Sequence, residues 1–350
     1  MLNIAIIFGG LSSEHEVSLQ SAYSVIENLN REKFNPILVG ITPEGEWFRF
    51  KGDIRKIANG TWCNPSDCVR ALISPDHEMH GLLEIERDSI HGVFLDAALP
   101  VMHGKNGEDG TIQGLLALAG IPIIGCGILS SALCMDKDRA HKLAQLAGVS
   151  VPRSFVLTDR ADKEAALDYA EILGYPIYIK PVKAGSSFGI TRVTQEKDLP
   201  AAIDRAFEYD NEVIMEENIT GFEVGCAIMG NKGLITGEID EIELSDGFFD
   251  FTEKYHLTTS KIHVPARLAE KKADEIKTTA KVIYKALGCR GFARVDMFLT
   301  PSGEIVFNEV NTIPGFTSHS RFPNMMKAVG WSFSEVITAI INLAVSNENA

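Results

Sequence analysis

The chain has 350 residues, of which 45% are hydrophobic and 23% are charged, and its formal net charge is −14. This length exceeds that of a single hydrophobic core and predicts two or three domains, while the acidic balance argues against a nucleic-acid partner. The six scattered cysteines lack the paired spacing of a zinc site, and we expect reduced thiols in a cytoplasmic protein. No apolar run approaches membrane-spanning length, so no membrane partner is predicted.

Strands alternate with helices at the start of the chain. Residues 4–8 form an apolar strand that ends at two glycines, and Ser13 and Glu16 are expected to form the capping box of the next helix. A second strand covers residues 37–41, and this order predicts a right-handed parallel unit with ligands at the carboxyl ends of its strands. Glu14 belongs to that edge, either as a ligand contact or only as a compensating charge at the helix N-terminus.

A second junction of strand and helix follows later in the same domain. Residues 42–88 are expected to be irregular with short strands, and a strand over residues 93–101 leads into the polar, glycine-rich loop 102–110. A helix over residues 111–119 comes next. The loop therefore belongs at the same edge as Glu14, unless it is a plain surface loop.

Two lysines mark the part of the chain that follows the strand at residues 121–124. Lys137 lies in the first turn of a helix, where it opposes the helix dipole unless an anion binds nearby. Lys180 ends the strand at residues 176–181, and the loop 182–189 follows. Its glycines and serines can direct several N–H groups and hydroxyls at one phosphate, although a flexible hairpin has the same composition.

Acidic residues end the next apolar strand. Glu216 and Glu217 suit the amine and hydroxyls of an adenosine, but they could equally lie at an exposed sheet edge. The polar and aromatic segment 245–260 is too long for a tight turn, and loops of this kind are often lids.

The most informative segment is a hairpin over residues 294–311, whose strands are joined at a Pro-Ser-Gly turn. Asp296 and Glu309 can lie on one face of antiparallel neighbours, and Asn311 repeats that direction. Two carboxylates and an amide oxygen suit Mg²⁺, with a solvated sheet face as the alternative. Arg294 and the irregular backbone that follows the hairpin would there stabilise negative charge on a phosphate or an oxyanion.

Together these motifs resemble those of ATP-grasp enzymes. Within that class, they resemble the motifs of the D-alanine:D-alanine ligase family. The segments that carry the resemblance are 9–10, 14–18, 103–110, 135–137, 185–189, 254–255, 291–296 and 308–315. The resemblance implies a fold that mixes α/β and α+β architecture in three domains. These are an N-terminal Rossmann-like parallel α/β domain at 1–130, a central ATP-grasp subdomain at 131–217, and a C-terminal subdomain at 218–350 with the lid and the metal site.

The resemblance also implies the cofactors, ATP and two Mg²⁺ ions, with Mn²⁺ as an alternative metal. The implied nucleotide contacts are Lys137, Lys180, Ser186, Ser187, Glu216, Glu217, Ile219, Glu223 and Phe307. The implied metal ligands are Asp296, Glu309 and Asn311.

The implied catalytic residues are Glu14, Ser186, Lys254, Tyr255, Arg294 and Gly315. Glu14 would meet the ammonium group of the first D-alanine, and Lys254 would assist phosphoryl transfer to its carboxylate. The amine of a second amino acid would then attack the acyl phosphate. Arg294 and the Gly315 N–H would hold the resulting oxyanion.

The second-substrate pocket departs from the pattern of ligases that make D-alanyl-D-alanine. The implied substrate residues are Glu14, His103, Phe249, Ser320 and Arg321. Where those ligases have a tyrosine and an apolar residue, this chain has Phe249 and Arg321. In this respect the chain resembles the D-alanine:D-serine ligases of glycopeptide resistance, of the VanG and VanC types. The pair Lys254-Tyr255 disfavours D-lactate, because ligases that use it carry a histidine there.

The resemblance therefore implies D-alanine and D-serine as substrates, and a homodimer as the assembly. A D-alanine:D-alanine ligase and a catalytically silent nucleotide-binding module remain as alternatives.

Overall fold

The computed structural model describes residues 1–185, 188–244 and 260–346. The predictions made for Ser186, Ser187, Phe249, Lys254 and Tyr255 lie outside the described residues.

The first part of the chain forms a seven-stranded sheet. Its strands are β1 (Leu2–Gly9), β2 (Phe34–Ile41), β3 (Trp47–Phe50), β4 (Cys68–Ile73), β5 (Gly81–Ile85), β6 (Ile90–Phe94) and β7 (Ala97–Val101). Its helices are α1 (His15–Glu27), α2 (Arg55–Ala58) and α3 (Thr111–Leu118). The strand order is β6-β5-β4-β3-β2-β1-β7. β1 pairs in parallel with β2 and β7, which confirms the predicted parallel unit, and the segment 42–88 adds antiparallel strands.

Three local predictions in this part were wrong. The strand expected over 121–124 is only an isolated bridge, in which Ile123 pairs in parallel with Ala98. The single strand expected over 93–101 is two strands. β6 pairs with β5 and β7 pairs with β1, so the chain crosses from one edge of the sheet to the other at Asp96. The Asp96 N–H donates to the Asn3 carbonyl at 2.9 Å. The capping box of Ser13 and Glu16 does not form. Instead α1 begins after Glu14, whose N–H donates to Ser12 Oγ at 3.1 Å.

The middle of the chain forms a four-stranded sheet of the order β10-β9-β11-β8. Its elements are α4 (Ile128–Met135), α5 (Lys137–Leu146), β8 (Ser154–Leu157), α6 (Lys163–Leu173), β9 (Ile177–Pro181), β10 (Thr191–Val193), α7 (Leu199–Ala206) and β11 (Val213–Glu217). All of its strand pairs are antiparallel, and β9 and β10 are the two strands predicted on either side of the loop 182–189. Lys180 is consequently fixed at the end of a central strand.

The last part forms a five-stranded antiparallel sheet of the order β14-β13-β12-β15-β16. Its elements are β12 (Phe222–Met229), β13 (Ile235–Leu244), β14 (Ser260–His263), α8 (Glu270–Ala286), β15 (Phe292–Leu299), β16 (Ile305–Asn311), α9 (Arg321–Ala328) and α10 (Phe333–Val345). The predicted hairpin is confirmed, because Asp296 lies directly opposite Glu309 and Arg294 lies opposite Asn311.

The first and last sheets share a hydrophobic core. Ile337 and Ile341 of α10 belong to the same buried cluster as Ile4 and Phe8 of β1. This packing holds the loops of the first sheet beside the third sheet. Among the described residues, no single helix is long and apolar enough to cross a membrane, and α9 with α10 meets that criterion only as a pair bent by 102°.

Candidate active site

The hairpin of β15 and β16 places two polar side chains against one buried carboxylate. Asp296 is 1% exposed, and its carboxylate accepts hydrogen bonds from Arg294 Nε at 2.8 Å and Nη2 at 2.7 Å and from Asn311 Nδ2 at 2.9 Å. Burial lowers the pKa of Arg294, but Asp296 more than offsets this, so the pKa is raised. The predicted oxyanion residue and two predicted metal ligands thus lie together.

These residues also fit a hard divalent cation. Asp296 and Glu309 face each other across the ladder, and Asn311 turns its amide nitrogen to Asp296, which leaves the amide oxygen as a ligand. No cluster of three or more His, Cys, Asp or Glu side chains forms a metal site within the described ranges. A site of two carboxylates and one amide suits Mg²⁺, which completes its shell with water and phosphate oxygens.

Arg321 begins α9 and is buried among carboxylates. Its Nε and Nη2 donate to Asp240 at 2.6 and 2.8 Å, its Nη1 donates to Glu223 at 2.6 Å, and Nη2 lies 3.3 Å from Asp296. Burial lowers the pKa of Arg321, and Asp240, Asp296 and Glu223 together raise it well above its usual value. The predicted substrate residue therefore links a predicted nucleotide contact to a predicted metal ligand. Its assignment to the second-substrate pocket stays a prediction.

Three of the predicted nucleotide residues, Lys137, Lys180 and Glu216, lie where the second sheet approaches the third. Lys180 Nζ donates to Glu216 Oε2 at 2.5 Å, and Lys137 Nζ donates to the Ala184 carbonyl at 2.7 Å. Burial raises the pKa of Glu216, but the nearby Lys180 prevails and lowers it. These lysines supply the positive charge that a polyphosphate needs next to the loop at Ala184.

The remaining predicted nucleotide residues have different surroundings. Glu217 turns its carboxylate to Arg153, whose backbone N–H and Nε donate to it at 2.7 and 2.8 Å. Ile219 is half-buried just beyond β11, and Phe307 is fully buried in the core of the third sheet. The Glu217 carboxylate is therefore held by Arg153, and the Phe307 side chain is enclosed in the core.

Sequence analysis missed His141, one turn after Lys137 on α5. The ring is 3% exposed and packs edge-on against Phe307 at 5.4 Å, and its Nε2 lies 2.8 Å from the Asn308 carbonyl. Its Nδ1 lies 3.6 Å from Glu216 Oε1, and neither atom has a hydrogen-bond partner among the described residues. The sequence indicated this residue through its spacing, because residues four apart on a helix are neighbours and His141 follows Lys137 by four positions.

Glu14 lies where the loop that follows β7 approaches the segment that ends at Gly185. Its side chain is buried, and a Cβ atom added at Gly104 or Gly185 would lie only 2.3 or 2.8 Å from its Oε2. Both glycines are therefore needed for close packing around this carboxylate. A cavity of about 650 Å³ opens here and is lined by Glu14, Gly104, Lys183 and Gly185.

The remaining predicted substrate and oxyanion residues are His103, Ser320 and Gly315. His103 is buried, which lowers its pKa, and its Nε2 lies 3.1 Å from Ser21 Oγ. Ser320 Oγ accepts the Thr317 N–H at 2.9 Å and would lie 2.8 Å from a Cβ atom at Gly315. Gly315 is thus packed against the Ser320 side chain.

A second missed residue is Glu108, in the glycine-rich loop before α3. Its carboxylate accepts the N–H groups of Gly104 at 2.9 Å and of Ile313 at 3.0 Å. The sequence identified the loop but could not indicate this partner, which is 205 residues away.

Similarity to known proteins extends over nearly the whole chain. The family model described as the D-ala D-ala ligase N-terminus matches residues 3–126, and the model described as the D-ala D-ala ligase C-terminus matches residues 143–342. The crystal structure of the VanG D-Ala:D-Ser ligase from Enterococcus faecalis is 58% identical with a TM-score of 0.91, and the match covers 98% of this chain and 99% of that one.

Two further relatives extend the comparison. The vancomycin B-type resistance protein VanB of Enterococcus faecalis is 45% identical over 349 residues, 98% of each chain. The D-alanine–D-alanine ligase of Caldicellulosiruptor bescii is 41% identical over 350 residues, 98% of this chain and 95% of that one. The three sheets have the ATP-grasp arrangement of the solved ligases, which confirms the predicted fold class. The chain belongs to the D-alanine–D-alanine ligase family.

Proposed function

We propose that this protein is an ATP-dependent ligase that joins D-alanine to D-serine. The observation that carries the ligase assignment is the cluster of Arg294, Asp296, Glu309 and Asn311 in one hairpin, on a chain that matches the family models at both ends. Members of this family use ATP and a divalent metal. The product would be a peptidoglycan precursor dipeptide that lowers the affinity of vancomycin for the cell wall.

The reaction must turn a carboxylate into an acylating agent. A carboxylate oxygen of the first D-alanine attacks the γ-phosphorus of ATP, and the bond from that phosphorus to the bridging oxygen breaks to release ADP. Lys137 and Lys180 would neutralise charge on the phosphates, and Glu14 would hold the ammonium group of D-alanine. The positions of the two lysines beside Ala184 and Glu216, and the packing of Glu14 against Gly104 and Gly185, support these roles. Two Mg²⁺ ions, or Mn²⁺, held by Asp296, Glu309 and Asn311 would further neutralise the phosphate charge.

The second step forms the peptide bond. The neutral amine of the second amino acid attacks the acyl carbon, and the bond from that carbon to the phosphate oxygen breaks. The proton lost by the nitrogen passes to the departing phosphate, which leaves as hydrogen phosphate with one oxygen of the original carboxylate. The oxyanion of the tetrahedral intermediate would be held by Arg294 and the Gly315 N–H. Arg294 is half-buried and aligned by Asp296, so it is oriented before the substrate arrives.

D-serine is proposed as the second substrate on two grounds. The 58% identity with a D-Ala:D-Ser ligase extends over 98% of this chain, and Phe249 and Arg321 replace the tyrosine and apolar residue of the D-alanine pattern. A D-alanine:D-alanine ligase is the second candidate, because a protein of that name is 41% identical. The pair Lys254-Tyr255 disfavours D-lactate. We further propose a cytoplasmic homodimer.

Isotope transfer tests the reaction class. The protein is incubated with ATP, Mg²⁺, D-serine and D-alanine labelled with ¹⁸O in its carboxylate. One ¹⁸O atom in the released phosphate for each dipeptide is expected, because the acyl phosphate loses one carboxylate oxygen. Phosphate without label would contradict the acyl phosphate route, and no ADP at all would favour the silent module.

A further inference from the structure

Glu108 joins two loops that belong to different sheets. Its Oε2 accepts the Gly104 N–H at 2.9 Å, within the loop that follows β7. Its Oε1 accepts the Ile313 N–H at 3.0 Å, just beyond the end of β16. One carboxylate therefore fixes the distance between these two backbones.

A second anchor from the first sheet holds the same loop. The Phe316 N–H donates to Ser21 Oγ at 3.4 Å, and Ser21 Oγ also lies 3.1 Å from His103 Nε2. The anchored N–H groups of Ile313 and Phe316 lie on either side of Gly315. Both anchors thus bracket the residue whose N–H is proposed to bind the oxyanion.

Placing a carboxylate at this position reduces the free energy of unfolding. Burial and the nearby Glu14 raise the pKa of Glu108 to about 8, which means that the ionised form is disfavoured here. Groups with such perturbed surroundings are concentrated at functional sites. Its two oxygens lie toward different backbones, so each N–H group has an acceptor of its own.

We propose that Glu108 is a positioning residue that holds the 312–317 loop so that the Gly315 N–H points at the tetrahedral intermediate. This inference rests on the proposed ligase function. It assigns Glu108 to the second step only, in which the amine attacks and phosphate leaves. Formation of the acyl phosphate does not use the oxyanion site, so it should not depend on Glu108.

The test compares the two steps in Glu108→Gln. The glutamine replaces one of the two acceptor oxygens by an NH₂ donor, so one of the two N–H groups loses its present acceptor. Acyl phosphate formation is followed by D-alanine-dependent positional isotope exchange in ATP labelled at the β,γ-bridging oxygen, and the second step by dipeptide formation. We expect dipeptide formation to fall by on the order of 10²-fold, as for a misplacement of about 1 Å, while exchange stays within about 3-fold of the wild type. ADP released per dipeptide should rise above one.

Two controls separate this role from a general loss of structure. Asp109→Asn removes a charge from the same loop, where Asp109 accepts only the N–H groups of Asn106 and Thr111 among its described bonds, and it should leave the ratio of the two rates unchanged. Thermal unfolding of Glu108→Gln and Glu108→Ala monitors the fold. An equal fall of exchange and dipeptide formation, or no fall in either, would overturn the proposal. Wild-type protein without exchange would instead refute the ligase function itself.

Discussion

Replacement of Arg321 by leucine should destabilise the protein strongly. The side chain is buried, and it is bonded to Asp240, which is 0% exposed, and to Glu223. Asp296 keeps its bonds to Arg294 and Asn311, but Asp240 loses both bonds from the guanidinium. Removing one partner of a buried ion pair costs about 3–5 kcal/mol, because a buried charge is left uncompensated.

Urea denaturation measures this cost, with Arg55→Leu as the control, because the pair of Arg55 and Asp53 is exposed and should leave the transition unchanged. The double variant Arg321→Leu with Asp240→Leu should recover part of the lost free energy of unfolding, since the unpaired carboxylate is then absent. A loss below about 1 kcal/mol in the single variant would refute the reasoning.

The same variant bears on specificity. Arg321→Leu is predicted to shift the choice of second substrate, and this ratio must be measured on the folded fraction. Because Arg321 also holds Glu223 and approaches Asp296, we expect weaker nucleotide binding as well. An unchanged product ratio would contradict the role given to Arg321 in selectivity.

Three further changes test separate parts of the site. Glu309→Gln should abolish D-alanine-dependent ADP formation by weakening the metal site, and activity near the wild-type level would contradict that assignment. Glu216→Gln removes the charge that pairs with buried Lys180, and calorimetric titration should show weaker ATP binding, with an unchanged affinity as the contrary result. Burial lowers the pKa of His141 in the folded protein, so the unfolded chain takes up the proton more readily. The contribution of the neutral His141 ring to the free energy of unfolding is therefore complete above about pH 6.5 and is lost as the pH falls through the folded-state pKa. Urea denaturation between about pH 7.5 and 5.5 should show a smaller slope in His141→Gln, and an equal slope would exclude this cause.

The hairpin could be predicted from sequence because its evidence is local. Alternating side chains and a turn set the register, and the register alone places Asp296 opposite Glu309. The ends of strands likewise located Lys180 and Glu216, which the structure joins by a hydrogen bond. Periodicity and turn chemistry are sufficient where partners share one sheet.

The missed contacts depend on how distant elements pack. Glu108 meets Ile313 across 205 residues, and Arg321 meets Asp240 across 81. No local pattern encodes such a distance. The failed capping box has a different cause, since the N-cap residue of α1 is Glu14 and not Ser13, and Glu16 is therefore not at the third helical position that the box requires.

The most direct test of the proposed function is a competition among second substrates. The protein is given ATP, Mg²⁺ and D-alanine with equal concentrations of D-serine and D-lactate, and the products are identified by mass spectrometry. A predominance of D-alanyl-D-serine is expected from the similarity to VanG and from Phe249 and Arg321. A predominance of D-alanyl-D-alanine or of the D-lactate ester would contradict the proposed specificity.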